Sequence, residues 1–331
     1  MSQVADATTT NAQPGVSDSE RELTGGLVFI GGTGRSGTHV LASLLGAHSR
    51  FADVPIEARF HCNKRGLPAL LGGRVTLEGF LEKLRGFWWH RVRDDGQPRG
   101  LYNLMHEHEF DAAVEAFTAG YHEDPTAACR GLFIALLGRV ATVAGKPGLV
   151  EMSSHNVREA QALRRIFPEA RFIHVVRDGR DSASSVSSKS WGPTTVLDGI
   201  DWWADRLRWI EGGVRGAEDG AEYSLPEDRF HVVLLDELVA GNREWALAGL
   251  LQFLEAPEEP DLREFFEGQM GPEAAHQGRW SEGLSPLGRA RVRRKYERTL
   301  QALADEGNHV APALLEAYER SREREPAAAP A

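Results

Sequence analysis

A chain of 331 residues with 41% hydrophobic content can bury a substantial core, enough for one large domain or two small ones. Its formal net charge of −10 excludes a general nucleic-acid or anionic-membrane binder, whose affinity would rest on surplus Lys and Arg, so any anion site must be local. The two cysteines, Cys62 and Cys129, give neither a disulfide framework nor a CxxC pair, which suits a reducing interior and makes the cytoplasm the expected location.

Residues 1–22 are rich in Ala, Thr, Ser, Gln and Asp, lack the basic and apolar blocks of a signal peptide, and are expected to form a disordered tail. The first element is a buried strand over Leu27–Gly31, which breaks into Gly32-Thr-Gly-Arg-Ser-Gly-Thr-His39 and opens a helix over Thr38–Ala47. A loop of this build aims several backbone N–H groups at one anion, and the helix behind it adds the positive end of its dipole. Counted from Gly32 to Gly37, the lysine slot of the nucleotide-triphosphate loop holds Thr38, the magnesium-ligand slot holds His39, and the nearby cation is Arg35. The loop therefore reads as a phosphate cradle that lacks the lysine and metal ligand of ATP or GTP hydrolysis.

A weaker strand at Phe51–Val54 leads into Glu57 and Arg59. Helical patterns over Leu77–Phe87, Phe110–Tyr121 and Ala127–Ala144 then fill the interval 67–145, too long for a simple crossover and read as a helical insert that forms a lid or the acceptor side. No apolar run reaches the roughly eighteen residues of a membrane span, and no membrane partner is expected. Strands over Gly148–Glu151, Arg171–Val176 and Arg229–Leu235 alternate with helices over Val157–Ile166, Asp181–Ser188, Ile200–Val214 and Arg243–Leu254. That rhythm predicts an α/β fold, a parallel sheet with helices on both faces, and ligands beyond the carboxyl ends of its strands.

The stretch Phe172-Ile-His-Val-Val-Arg-Asp-Gly-Arg-Asp-Ser-Ala-Ser-Ser185 places Arg177 at a strand's carboxyl edge and Asp181 to cap a helix that carries Ser185. An Arg fork and a Ser hydroxyl on the same rim as the first loop would hold a second phosphate; the alternative is a strand-to-helix turn laced by surface ion pairs. Toward the C-terminus come Gln277-Gly-Arg-Trp280, the basic helix Leu287–Glu306, and a second expected tail, 321–331.

Together these stretches resemble the sulfotransferases that use 3'-phosphoadenosine 5'-phosphosulfate (PAPS), in their broad bacterial and Golgi-type branch. Further likeness lies in Phe167-Pro-Glu-Ala-Arg171, Trp191-Gly-Pro193, Trp202-Trp203, Leu235-Asp-Glu-Leu-Val239 and Gly278-Arg-Trp280. The resemblance implies a P-loop nucleoside-kinase-like sulfotransferase fold, a single domain over 23–320, and PAPS as co-substrate with no metal required. It assigns Gly34, Arg35, Ser36, Gly37 and Thr38 to the 5'-phosphosulfate, with His39 the next candidate, standing where the family usually has Thr or another small polar residue. Arg177 and Ser185 go to the 3'-phosphate, and the segment at Gly278 and Arg279 closes over it. Arg35 is expected on the leaving-group side, and His39 either donates to the phosphosulfate or tucks under the loop. Glu57 stands where this branch carries its catalytic Glu, with His61, His155 and Glu151 as competitors, while Met152 departs from a family lysine.

A sulfuryl group carries less charge than a phosphoryl group, so a cationic side chain and backbone donors suffice for in-line transfer without Mg²⁺. The acceptor implied is a hydroxyl, or an amine, of a small molecule or saccharide. A P-loop kinase and a non-catalytic nucleotide-binding protein are the rival readings. His106 with His108, and His61 with Cys62, lack tetrahedral-site spacing, so no metal site is expected. Trp88-Trp89 and Trp202-Trp203 are candidates for an acceptor pocket, but adjacent helical residues diverge by about 100°, so at least one of each pair is expected in the core. The abundance of Ala, Arg and Gly over Lys and Asn points to a GC-rich bacterial genome.

Overall fold

A computed structural model of the chain describes residues 23, 26–92, 96–215, 225–271 and 276–324; the expected tail 1–22 lies outside the described residues. Five strands form one sheet: β1 (Leu27–Gly32), β2 (Phe51–Asp53), β3 (Gly148–Glu151), β4 (Arg171–Val176) and β5 (Phe230–Leu234), in the order β2-β3-β1-β4-β5. Every pairing is parallel. All five strands fall where the β-branched runs predicted them, within a residue at each end.

The helices that position the site are α1 (Thr38–Ala47), α2 (Glu107–Gly120), α3 (Pro125–Ala144), α4 (Ala160–Ile166), α5 (Gly179–Ser187), α6 (Val196–Arg215), α7 (Arg243–Leu254), α8 (Pro260–Gln269), α9 (Pro286–Asp305) and α10 (Ala311–Arg324). Strand side chains alternate between two apolar layers. Val28, Ile30, Val150, Ile173 and Val175 pack with Leu41, Leu44, Leu250 and Phe266 of α1, α7 and α8. Leu27, Phe29, Leu149 and Phe172 face the other way and share one continuous core with Phe80, Trp88, Phe110 and Phe133. Helices thus cover both faces, as burial of an all-parallel sheet demands. The helical interval is built onto the sheet's own core.

One sequence expectation fails inside that interval. Arg130, Arg139 and scattered Thr residues break the apolar run in the sequence, yet α3 is a continuous helix of 20 residues, long and apolar enough to cross a membrane. Its Cys129, Leu132, Phe133, Leu136, Leu137 and Ala141 are buried in the core shared with Phe29 and Phe167, which gives its apolar face a partner. Asp124 caps its N-terminus by accepting from Thr126 N and Ala127 N at 3.0 and 2.9 Å.

A third cluster lies beyond the end of β4, where Val176 meets Ala183, Trp203, Leu207, Tyr296 and Leu314 of α5, α6, α9 and α10. Helix α10 continues to Arg324, into the expected tail 321–331, because Leu314 and Tyr318 at i, i+4 seat its buried stripe, Tyr318 against Tyr296 at 5.4 Å between ring centres.

Candidate functional site

β1 lies beside β4 with Gly32 opposite Val175, so the loop after β1 and the turn after β4 leave the sheet side by side. The connection from β1 runs toward β2, and the one from β3 crosses back to β4; their divergence opens a crevice at the strand ends. The glycines of the first loop are set by close packing. A Cβ on Gly32 would stand 2.4 Å from Ser36 Oγ and 2.5 Å from the Val175 carbonyl, and one on Gly37 would stand 2.6 Å from the Leu235 side chain. Gly34 (φ 85°) and Arg35 (φ 60°) are successive left-handed residues. For Arg35 that conformation costs roughly 1–2 kcal/mol, strain of a kind found where a loop grips a ligand. Gly37 precedes α1 without a side-chain cap, and no acidic residue occupies the first turn. The buried Ser36 Oγ has no hydrogen-bond partner among the described residues. A helix start without a side-chain cap, an orphaned hydroxyl and a cradle that a side chain would fill fit a phosphate-like group.

The second rim joins the first. Arg177, at the end of β4, is buried and donates from Nη2 to the His276 carbonyl at 3.1 Å. Arg35 Nε donates to Ser185 Oγ at 3.0 Å, bridging the first loop to α5. Asp178, not Asp181, caps α5 by accepting from Arg180 N at 2.8 Å. Asp181 instead ties down a distant segment, its carboxylate accepting from Gly278 N at 2.9 Å and Trp280 N at 3.1 Å. Asp236 adds a third tie, accepting from Gln277 Nε2 at 3.0 Å and Asp178 N at 2.6 Å; burial, with the nearby Asp178, pushes its carboxyl up to about 6. Gly278, at φ 75°, and the exposed Arg279 are thereby drawn to the Arg177 rim.

Opposite α1, the extended segment after β2 presents Glu57. Its carboxylate is largely buried and bonds through Oε2 to Arg59, from Nε at 2.8 Å, and to Arg91 Nη2 at 3.5 Å; Arg91 Nη1 also donates to the Glu57 carbonyl at 2.7 Å. Arg99 reaches the Pro55 carbonyl at 3.5 Å. His39 is open to this cleft; desolvation by the surrounding protein pushes its imidazole down, Arg99 and Arg35 push the same way, and Glu57 opposes them. Loop cation, first-turn histidine and Glu57 thus share one electrostatic neighbourhood. No local pattern in the sequence marks Arg91 or Arg99, which arrive only through the folding of the helical interval.

Two of the competing bases are excluded. His61 and Glu151 are fully buried and paired, Nε2 to Oε2 at 3.0 Å, with the His61 ring against Phe29 and Phe133. Burial opposes both charges, yet the neighbouring Cys62 and Glu151 raise His61 well above its ordinary pKa, and His61 holds Glu151 well below its own. Glu151 also accepts from Ala58 N, Ser153 N, Ser153 Oγ and Asn156 Nδ2, and so pins the backbone beside Glu57. Met152 fills the core beside Ile30 and Val150. Trp88 and Trp89 are both buried, which removes that pair from the acceptor pocket; Trp203 is core and Trp202 half-buried. His155 remains at the cleft, where burial and Arg59, Arg158 and Arg206 push its imidazole down to about 4.

Because the pair is buried, removing one partner leaves an uncompensated charge. His61→Ala is expected to lower the stability by about 3–5 kcal/mol. Urea unfolding checks this as a reduced midpoint with an unchanged slope. An unmoved midpoint would mean that the Ser153, Asn156 and Ala58 bonds suffice for Glu151.

The model described as the sulfotransferase family matches residues 28–260. The chain belongs to the sulfotransferase family. The match takes in all of the sheet but Leu27, together with the first loop, Glu57, Arg177 and Ser185, and leaves Gly278 and Arg279 of this sulfotransferase outside it. Among solved structures, the sulfotransferase domain from the Synechococcus PCC 7002 olefin synthase aligns at 18% identity and a TM-score of 0.41, covering 82% of this chain and 93% of that one. Sulfotransferase STF1 from Mycobacterium tuberculosis H37Rv aligns at 15% identity and 0.40, covering 81% and 75%, and STF9 from Mycobacterium avium at 15% and 0.38, covering 83% and 76%. No curated protein matches this sulfotransferase in sequence.

Proposed function

We propose that this sulfotransferase moves a sulfuryl group from PAPS to a hydroxyl, or an amine, of a small-molecule or saccharide acceptor. The observation that carries the reading is the Arg35–Ser185 bond, which joins the loop after β1 to the helix after the adjacent strand β4, the two rims that on this reading hold the donor's phosphates. A donor with phosphates at both its 5' and 3' positions needs two such rims, and a kinase needs only the first. Family membership supports the transfer. The donor would lie along Gly34–His39, Arg177, Ser185, Gly278 and Arg279, within one domain over 23–320 whose interval 67–145 walls the acceptor side, and the enzyme would work in the cytoplasm.

The donor supplies the sulfuryl group; the chain supplies position, charge and a proton acceptor. Backbone N–H groups of the first loop, the Ser36 hydroxyl and the Arg35 guanidinium hold the phosphate from which the sulfuryl group departs, and meet the charge that grows there. Glu57 receives the proton of the attacking hydroxyl as the new bond forms. Arg59 and Arg91 fix that carboxylate in place, bonding it only at Oε2 among the described residues.

Adenosine 3',5'-bisphosphate is expected to raise the melting temperature in a concentration-dependent way, and AMP or ATP with Mg²⁺ far less. Differential scanning fluorimetry checks this. Equal shifts with AMP would remove the second phosphate rim, and a shift that required ATP and Mg²⁺ would favour phosphoryl transfer.

A further inference from the structure

The cleft beside Glu57 carries more cationic groups than the two phosphate rims account for. Helix α6 places Trp202, Arg206 and Trp209 at i, i+4 and i+7, a single stripe along one face. The Arg206 guanidinium lies 5.2 Å from the Trp202 ring centre and 5.0 Å from that of Trp209. From the turn after β3, Arg158 lies 3.5 Å over the Trp209 ring, and His155 meets the same ring edge-on at 5.5 Å. Arg59 N donates to Ser153 Oγ at 3.1 Å, two residues before His155, which ties the Glu57 loop to the turn that carries His155 and Arg158. Arg91 in turn feels Arg59 and Arg99.

The acidic groups facing this cluster are few. Glu57 serves Arg59 and Arg91, Glu159 lies 3.1 Å from Arg158, and the exposed Asp205 is turned to Arg208 at 3.0 Å. Half-buried guanidinium groups gathered in this way repel one another and lose hydration, a cost that an entering anion offsets. Planar Arg forks match carboxylate, sulfate and phosphate oxygens, and indole faces stack on rings.

We infer that the acceptor is a ring-bearing anion, a hydroxylated molecule whose carboxylate, sulfate or phosphate group is held by Arg158 and Arg206 while its ring lies along the Trp202–Trp209 stripe. This names an acceptor class and rests on reading the cleft as the place of sulfuryl transfer. Trp209, 39% exposed, leaves the stripe open to solvent.

Matched probes test it by titration calorimetry: phenol against 4-hydroxybenzoate and 4-hydroxyphenyl phosphate, and methyl glucoside against methyl glucuronide. Each is measured with and without saturating adenosine 3',5'-bisphosphate. At least one anionic probe is expected to bind about tenfold or more tightly than its neutral partner, with a preference that shrinks as salt rises. Arg206→Gln and Arg158→Gln are each expected to cut that preference, and Arg206→Lys to restore part of it. The inference is overturned if no anionic probe binds more tightly, if none binds, or if the preference survives both variants. An equal loss of adenosine 3',5'-bisphosphate affinity in Arg206→Gln would assign the cluster to the donor and overturn it too. Failure of adenosine 3',5'-bisphosphate to bind the parent chain would instead sink the donor reading, while the ligand-free titrations still decide the anion preference.

Discussion

Glu57→Gln is expected to bind adenosine 3',5'-bisphosphate like the parent chain and to transfer sulfuryl about 10²–10⁴-fold more slowly, the usual worth of a positioned general base. The substitution keeps the shape of the side chain and an oxygen for Arg59 and Arg91, and removes only the basicity. The segment that carries it should hold its course, because Glu151 secures Ala58 N and Ser153 Oγ secures Arg59 N. Release of adenosine 3',5'-bisphosphate, followed under saturating donor and acceptor, measures the effect. Turnover near that of the parent would exclude Glu57, and His155 would be tested next, His61 and Glu151 having been removed by their burial. If the His155 variant were also active, the acceptor would need no base from the protein.

Arg35→Ala is expected to lower turnover by about 10²–10³-fold, roughly 2.7–4 kcal/mol, as when a preorganised oxyanion donor is lost. Arg35 stands inside the loop in a left-handed conformation and spans to Ser185, which places its charge between the two rims. Arg35→Lys should recover only part of the loss, because a point charge replaces a planar fork. Arg177→Ala should act differently. On the proposed reading it holds the donor's 3'-phosphate rather than the phosphate that leaves, so its loss should weaken donor affinity more than it slows the bound complex. Saturation kinetics separate the two. A changed donor affinity with intact turnover for Arg35→Ala would assign Arg35 to binding alone.

The Asp181 and Met152 positions show how far local reasoning reaches. A Ser, Asp or Asn before a helical run reads as a cap, and two Asp residues compete for that place; Asp178 takes it because the helix starts at Gly179, and Asp181 is left to receive the distant Gly278 and Trp280 N–H groups. Met152 in place of a lysine reads locally as a lost charge. In the folded chain it is a core side chain between α1 and the sheet, and the cations near the cleft come from Arg35, Arg59, Arg91 and Arg99 instead.

The sequence by itself determined the α/β class, the five parallel strands, the glycine-rich turn from β1 into α1, the strand-to-helix turn after β4 and, through its motifs, the family. Each rests on residues close together in the chain, where period, turn chemistry and helix dipole act over a few positions. Only the tertiary structure decided which candidate bases see the cleft, because burial depends on what packs above a residue. His61 and Glu151 vanish under Phe29 and Phe133, whereas Glu57 meets Arg91 from a segment 34 positions away. Trp202, Arg206 and Trp209 share one face of α6, but their partners His155 and Arg158 come from beyond β3, and such long-range pairing is fixed by the shared core of sheet and helices.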